Sequence, residues 1–226
     1  MDAQNSLFEQ LKAVCADDWK RYTHHDFVAR IGDGTLPERA FRHYLIQDYL
    51  FLIQFARAYA LAVYKSETLA DMRQAGAGMS AILDTEMALH VEFCREWGLS
   101  EADIETAPEA SACMAYTRFV LERGMSGDLL DLHIALAPCI VGYAEIGARL
   151  ASNTVTSIEG NPYLPWIEMY ASSEYQDVAA GEISFLEDLM RRRAGPGRFN
   201  SLADTFGKAT RLEVEFWQMG LDHAGV

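Results

Sequence analysis

Cys139 is the side chain whose type and position best suit it to act as a nucleophile. It follows Pro138 directly, in a segment that is otherwise helical from Asp128 to Ser152. A proline inside a helix cannot donate to the carbonyl four residues earlier, so we expect a kink that leaves a backbone acceptor. Tyr143 comes four residues after Cys139, which puts thiol and phenol on one helix face. The thiol is either a nucleophile or a packed core group, because free cysteine is often buried.

Two acidic side chains lie in apolar helical segments. Asp48 falls within LIQDYLFL (45–52), and Glu213 within LEVEFW (212–217). A buried carboxyl needs a partner or a proton, whereas a carboxyl at the edge of its helix can face water. Glu213 shares a face with Trp217 and Glu215 does not, so we predict that Glu215 faces solvent. Two such acids beside a suitably placed cysteine indicate an enclosed polar pocket.

A metal site has little support in the sequence. Glu86 and His90 form an i,i+4 pair. Di-iron sites in helical bundles instead use Glu-x-x-His pairs from two helices together with further acids. We therefore expect a structural hydrogen bond between Glu86 and His90.

Helices are the elements that must position these groups. Residues 6–9, 35–38 and 173–176 have the form of capping boxes, which mark helix starts. Glycine and proline separate the apolar segments, and no alternating β-branched run of strand length stands out. We predict a single domain, residues 1–226, with an all-α fold of about eight helices. The long helices are expected near 35–64, 69–97, 128–152 and 201–223.

Composition restricts the class of protein. The chain has 226 residues, half of them apolar, and a net charge of −14 from 19 basic and 33 acidic residues. Such a surface repels phosphate backbones and anionic lipid, which argues against nucleic-acid or membrane partners. The segment from Met1 to Lys12 does not resemble a secretion signal. The four cysteines form no CxxC pair, so we expect a cytoplasmic protein with free thiols.

Several motifs, in order along nearly the whole chain, resemble those of the TenA/thiaminase II family. The matching segments are Phe27–Pro37, Tyr44–Tyr49, Phe55–Ala62, Glu86–His90, Leu136–Cys139 with Tyr143, Trp166–Ser172, and Glu213 with Phe216–Trp217. The resemblance implies a haem-oxygenase-like multi-helical bundle that assembles as a homotetramer. It also implies hydrolysis of 4-amino-5-aminomethyl-2-methylpyrimidine to the hydroxymethyl pyrimidine in thiamin salvage, with release of ammonia. Cleavage of thiamin is the related activity, and neither a cofactor nor a metal is implied.

The resemblance assigns roles to three candidate groups. Cys139 matches the family's nucleophile, which places the sequence in the cysteine-bearing branch. Glu213 matches the acid that protonates the pyrimidine ring. Asp48 matches the carboxylate that binds the amino-amidine edge of that ring.

Aromatic residues complete the candidate substrate site. Tyr143 and Tyr170 match tyrosines that contact the substrate, and Tyr116 matches a pocket tyrosine near the acid. Phe51 is a departure, because many members have tyrosine there, with its hydroxyl near the thiol. A phenylalanine can still stack on a ring but cannot hydrogen-bond.

Two alternative functions remain open at this point. A haem-oxygenase-like oxidase would share the fold, and it would need a histidine directed into the bundle, with His24 or His25 as the candidate. A non-catalytic regulatory protein is the other alternative. It would have no physical need of a thiol and two acids in apolar surroundings.

Overall fold

The computed structural model describes residues 6–153, 156 and 159–226, and every regular element in these ranges is a helix. The all-α prediction is therefore confirmed. The helices are α1 Leu7–Val14, α2 Ala16–Thr23, α3 Asp26–Asp33, α4 Glu38–Lys65, α5 Leu69–Ala81, α6 Met87–Glu96, α7 Glu101–Glu105, α8 Ser111–Ser126, α9 Leu129–Ser152, α10 Leu164–Ala171, α11 Ser173–Arg193 and α12 Arg198–Ala224. A π-helical segment, Ile82–Glu86, joins α5 to α6.

Two of the predicted capping boxes differ from the structure. The cap of α11 is Ser172, whose side chain accepts from the Tyr175 N–H, so the predicted start at residue 173 is late by one residue. At α4 the first helical residue is Glu38, and the Thr35 hydroxyl donates instead to the Asp33 carboxylate at 2.6 Å. The first predicted cap is confirmed in part, because the Ser6 hydroxyl accepts from the Glu9 N–H at 3.2 Å.

The chain divides into two compact units, and the prediction of a single domain stays a prediction. Unit 1 comprises Met1–Pro37 and His133–Gln218, and unit 2 comprises Glu38–Leu132 and Met219–Val226. The division falls inside α9 and inside α12.

The core of unit 1 is built on aromatic side chains from distant parts of the sequence. Phe8 of α1 and Trp19 of α2 pack on Phe206 of α12, with the Trp19 and Phe206 rings stacked at 5.6 Å. Glu145 of α9 accepts from the Trp19 indole and pairs with Lys12 at 2.6 Å. These contacts fix α1 and α2 against α9 and α12.

Glycines allow close approach to α9 within unit 1. A Cβ at Gly147 would lie 2.5 Å from the carbonyl carbon of Tyr170, so only glycine lets α10 come this near. A Cβ at Gly142 would overlap the Tyr22 ring. The Tyr22 hydroxyl donates to the Pro138 carbonyl at 3.2 Å.

Unit 2 packs α4 against α5, α6 and α8. Tyr49, Cys94 and Ile104 form a buried cluster that joins α4, α6 and α7. A Cβ at Gly78 would overlap the Tyr59 ring, which lets α5 lie close to α4. The helix predicted over 69–97 is thus present, with the π segment in its middle and its second half packed on α4.

One described helix, α9, is long and apolar enough to cross a membrane, and 89% of its most apolar window is buried within the protein. Burial of this extent is typical of the core helix of a soluble protein.

Candidate functional site

Cys139 lies in the buried helix α9, which continues through Pro138. All four cysteines lie in the described part of the chain and none forms a disulfide bond, but their surroundings differ. Cys94 and Cys113 are buried, and burial raises the pKa of the Cys94 thiol to about 11. Burial also raises the pKa of Cys113, as do the nearby carboxylates of Glu109 and Asp48. Cys139 is only half-buried, so this residue is more exposed than Cys94 and Cys113.

Aromatic rings from three helices of unit 1 pack around the position one turn beyond Cys139. The Tyr143 ring lies 4.8 Å from that of Tyr170 and 5.2 Å from that of Trp217. Trp166 completes the group, 4.7 Å from Tyr170. Tyr143 and Tyr170, both predicted substrate contacts, are thus brought together in one buried aromatic cluster, and aromatic faces can stack on a flat heteroaromatic ring.

Glu213 belongs to the buried face of α12. Its residue is 2% exposed, and Trp217 one turn later is fully buried, whereas Glu215 is exposed. The predicted contrast between the two acids is therefore confirmed.

Asp48 is 4% exposed on α4 and is paired inside unit 2. Its Oδ2 accepts from the Tyr44 hydroxyl at 3.0 Å and lies 2.6 Å from His90 Nε2. His90 is fully buried, and its Nδ1 lies 2.7 Å from the backbone carbonyl of Glu86. The predicted hydrogen bond between Glu86 and His90 is present, and it involves the Glu86 backbone carbonyl. The ring bridges that carbonyl and the Asp48 carboxylate.

Glu86 closes the π-helical segment beside this pair. Burial raises the pKa of its carboxyl to about 7, with the Asp48 charge acting in the same direction and His90 against it. π-Helical turns often occur at functional sites. A group that titrates near neutral pH beside a buried carboxylate is consistent with such a site.

Phe51 and Tyr116 are buried together in unit 2. Their ring centroids are 5.1 Å apart, and Phe55 packs 4.9 Å from Phe51. Phe51 follows Asp48 by three residues on α4, so the carboxylate and this aromatic pair occupy neighbouring positions on the helix.

Each unit therefore contains some of the predicted site residues. Unit 1 holds Cys139, Tyr143, Tyr170 and Glu213, and unit 2 holds Asp48, Phe51 and Tyr116. Their roles in catalysis and binding stay predictions.

Two contacts of Asp48 had no role in the sequence-based site. Tyr44 precedes Asp48 by four residues, a spacing that places the two on one helix face and could have identified the contact. The contact with His90 had no such signal, because 42 residues separate the two.

The histidines considered for haem make local contacts. His25 caps α3, its Nδ1 accepting from the Phe27 N–H at 3.2 Å, and the His24 ring lies 2.9 Å from the Thr23 hydroxyl. Among the described residues, no group of three or more histidine, cysteine or acidic side chains is arranged to hold a metal ion.

Comparison with known proteins finds relatives that match nearly the whole length of this chain. It is 42% identical over 218 residues to an uncharacterized protein of Haemophilus influenzae, covering 96% of this chain and 100% of that one. It is 34% identical to a Halalkalibacterium halodurans protein named aminopyrimidine aminohydrolase, covering 95% and 93%. A crystal structure described as a TenA family transcription regulator from Silicibacter sp. matches with a TM-score of 0.88 at 45% identity, covering 95% and 96%. The TENA/THI-4/PQQC family model matches residues 14 to 223, and the chain therefore belongs to that family.

Proposed function

We propose that this chain is an aminopyrimidine aminohydrolase of thiamin salvage. It converts 4-amino-5-aminomethyl-2-methylpyrimidine and water to the hydroxymethyl pyrimidine and ammonia, and it cleaves thiamin as a related activity. Relatives named for aminopyrimidine hydrolysis match over nearly the whole chain, which supports the reaction class. We further propose that it acts in the cytoplasm as a homotetramer, without a cofactor.

The observation that carries this proposal is the buried carboxyl of Glu213 on the same helix face as Trp217. An aminopyrimidine is a poor electrophile until a ring nitrogen is protonated. We propose that the Glu213 carboxyl acts as the general acid that delivers this proton.

Asp48 and the aromatic rings are proposed to bind and orient the substrate. The Asp48 carboxylate accepts from the exocyclic amino group of the pyrimidine, a charge-assisted hydrogen bond that fixes the ring's orientation. Tyr143, Tyr170, Tyr116 and Phe51 contribute apolar surface that stacks on the ring and excludes water.

Cys139 is proposed to provide covalent catalysis. Its sulfur bonds to a carbon of the protonated ring, and the ring loses its aromaticity. The thiol proton passes to the amino group of the substrate, the bond from the exocyclic methylene to nitrogen breaks, and ammonia leaves. Water adds to the methylene, and one of its protons returns to the sulfur as the carbon–sulfur bond breaks. The ring nitrogen returns its proton to Glu213, and the ring is aromatic again. The net change replaces the amino group by a hydroxyl group.

Product analysis tests the proposal. Purified protein is incubated separately with the aminomethyl pyrimidine and with thiamin, and the hydroxymethyl pyrimidine is followed by chromatography. We expect product from the wild type, and a rate at least about 10³-fold lower for Cys139→Ala. Cys94→Ala is the control for loss of a thiol outside the proposed site, and it should retain turnover.

The possible outcomes separate the reaction from its mechanism. Substantial turnover by Cys139→Ala, in protein free of wild-type contamination, would overturn the thiol mechanism. Absence of product from both substrates with the wild type would overturn the proposed reaction.

A regulatory role is the second candidate, because the Silicibacter relative is described as a transcription regulator. The net charge of −14 opposes contact with a phosphate backbone, so we expect no direct DNA binding. Fluorescence anisotropy with labelled duplex DNA at low salt tests this expectation. Saturable binding that weakens with salt would favour the regulatory role.

A further inference from the structure

We propose that His90 is a positioning residue. As a buried imidazolium it holds Asp48 ionised, and it orients this carboxylate so that the Asp48 Oδ1 accepts a hydrogen bond from the amino group of the substrate. This inference rests on the proposed function for its substrate, but the state of His90 can be measured without any turnover.

The hydrogen bonds of His90 determine where its protons lie. The contact at Nδ1 is a backbone carbonyl, which only accepts, so Nδ1 carries a hydrogen. The contact at Nε2 is the Asp48 carboxylate at 2.6 Å, a separation as short as those of charge-assisted hydrogen bonds. With hydrogens on both nitrogens the ring is a cation, and the two buried charges compensate each other.

The charged groups around the ring favour this assignment. Asp48 and Tyr44 face the His90 ring from α4, and Glu86 faces it from the π segment. On α8, the Asp48 charge helps to raise the pKa of the Cys113 thiol. Burial alone would lower the pKa of His90, but the hydrogen bond and charge of Asp48 outweigh burial and raise it. Asp48 is the principal counter-ion of His90, because its carboxylate lies 2.6 Å from the ring and the Glu86 contact is with the backbone carbonyl.

The geometry of Asp48 gives the pair a role in specificity. Oδ2 already accepts from Tyr44 and contacts His90, and neither of these groups uses Oδ1. An ionised carboxylate has no hydrogen to donate, so Oδ1 is an acceptor only. It can accept from the 4-amino group of a pyrimidine and repels the carbonyl oxygen of a 4-oxo analogue. A protonated Asp48 could donate to that carbonyl, and this discrimination would be lost.

The chain provides a matched control for a buried histidine–carboxylate pair. His133 of α9 is 1% exposed, and its Nδ1 lies 2.8 Å from a Glu182 carboxylate oxygen. Glu182 is buried as well, and neither residue belongs to the proposed substrate site. Replacing His133 should therefore reproduce the stability cost of breaking such a pair without changing substrate recognition.

The first measurement is nuclear magnetic resonance of wild-type protein labelled with ¹⁵N in its histidines. We expect one ring, identified by its loss in His90→Gln, with both nitrogens protonated at pH 7.5. In Asp48→Asn the same ring should become neutral, because its counter-ion is gone. A neutral His90 in the wild type at pH 7.5 would overturn the proposal, whether or not the protein hydrolyses aminopyrimidines.

The second measurement compares kinetics of wild type, His90→Gln and His133→Gln. In His90→Gln the acidic limb of the kcat/KM profile should move to higher pH, because the buried Asp48 carboxylate has lost its cation. Selectivity for the 4-amino substrate over the 4-oxo analogue, from kcat/KM or from competitive inhibition, should fall about tenfold or more. His133→Gln should alter neither quantity.

These kinetic outcomes distinguish positioning from a purely structural role. An unshifted profile and unchanged selectivity in a folded His90→Gln variant would overturn the proposal. If the wild type itself makes no product, the proposed function fails, and the imidazolium assignment is still decided by the resonance experiment.

Discussion

Two glutamates on α12 show how a shift of two residues changes the environment of a carboxyl. Glu213 is 2% exposed among the rings of unit 1, and Glu215 faces water. The helical period places them on different faces, although their neighbours in sequence are almost the same. Of the two, only Glu213 has the burial expected of the proposed general acid.

Glu213→Gln should lower kcat for the aminopyrimidine by about 10² to 10⁴-fold, because the amide cannot supply a proton. Glu215→Gln is the matched control on the same helix and should retain wild-type kcat. Steady-state kinetics of both variants, with circular dichroism to verify folding, provides the measurement. Comparable kcat for the two variants would remove Glu213 from the mechanism.

Residue-level predictions from the sequence succeeded where helical periodicity alone decides the outcome. The burial of Glu213 and the need of Asp48 for a partner followed from apolar neighbours three and four positions away. The partner's identity did not follow, since His90 reaches Asp48 from another helix. An i,i+4 rule pairs His90 with Glu86, but it contains no information about contacts 42 residues apart.

At the scale of elements, α9 carries the proposed nucleophile and also provides the surface on which α10 packs. Gly147 faces the backbone of Tyr170, so the position of that tyrosine depends on the absence of a side chain. The sequence predicted a helix over 128–152 with a kink at Pro138, and α9 runs without a break from Leu129 to Ser152 with Pro138 inside it. Burial and the Tyr22 contact stabilise the helix in ways that a local proline rule does not include.

Gly147→Ala should destabilise the protein by about 1–3 kcal/mol, because its Cβ would meet backbone that cannot move aside freely. Gly181→Ala on α11 is the control, since a Cβ there has no neighbour within 4 Å. That change should stabilise the helix by about 0.5–1 kcal/mol. Urea unfolding of both variants tests the contrast, and equal midpoints would contradict the packing argument.

For the whole molecule, acid stability depends on a stacked histidine pair in unit 2. The rings of His43 and His223 lie 3.9 Å apart and are nearly parallel. Burial and the neighbouring His223 lower the pKa of His43 to about 4. Between pH 6.5 and 4 the unfolded chain therefore binds a proton that the folded chain does not, and stability falls as the pH falls.

His43→Gln should reduce this acid sensitivity. Between pH 6.5 and 4 the wild type should lose more unfolding free energy than the variant, and above pH 7 the difference between the two should be constant. Urea denaturation at several pH values measures both curves. Parallel curves throughout would show that His43 does not carry the pH dependence.

Assembly is the remaining property at this scale. Tyr64 is 84% exposed and Met125 is 73% exposed. Lys65, which follows Tyr64 in the chain, donates a hydrogen bond from its ammonium group to the Met125 carbonyl. Large apolar side chains exposed together favour an interface. Light scattering of the wild type should give a mass of about 101 kDa, four times that of the 25.3 kDa chain. The double variant Tyr64→Ser, Met125→Ser should give a lower mass. A 25 kDa wild type would contradict the homotetramer.

The discontinuity of unit 1 also bears on synthesis by the ribosome. Helices α1 and α2 present Phe8 and Trp19 to Phe206, nearly 190 residues later. During translation these aromatic groups emerge long before their partner has been made. The nascent chain must therefore carry an unsatisfied apolar surface through most of its elongation. Transient shielding by chaperones, and a folding rate limited by this sequence-distant docking, are the expected consequences.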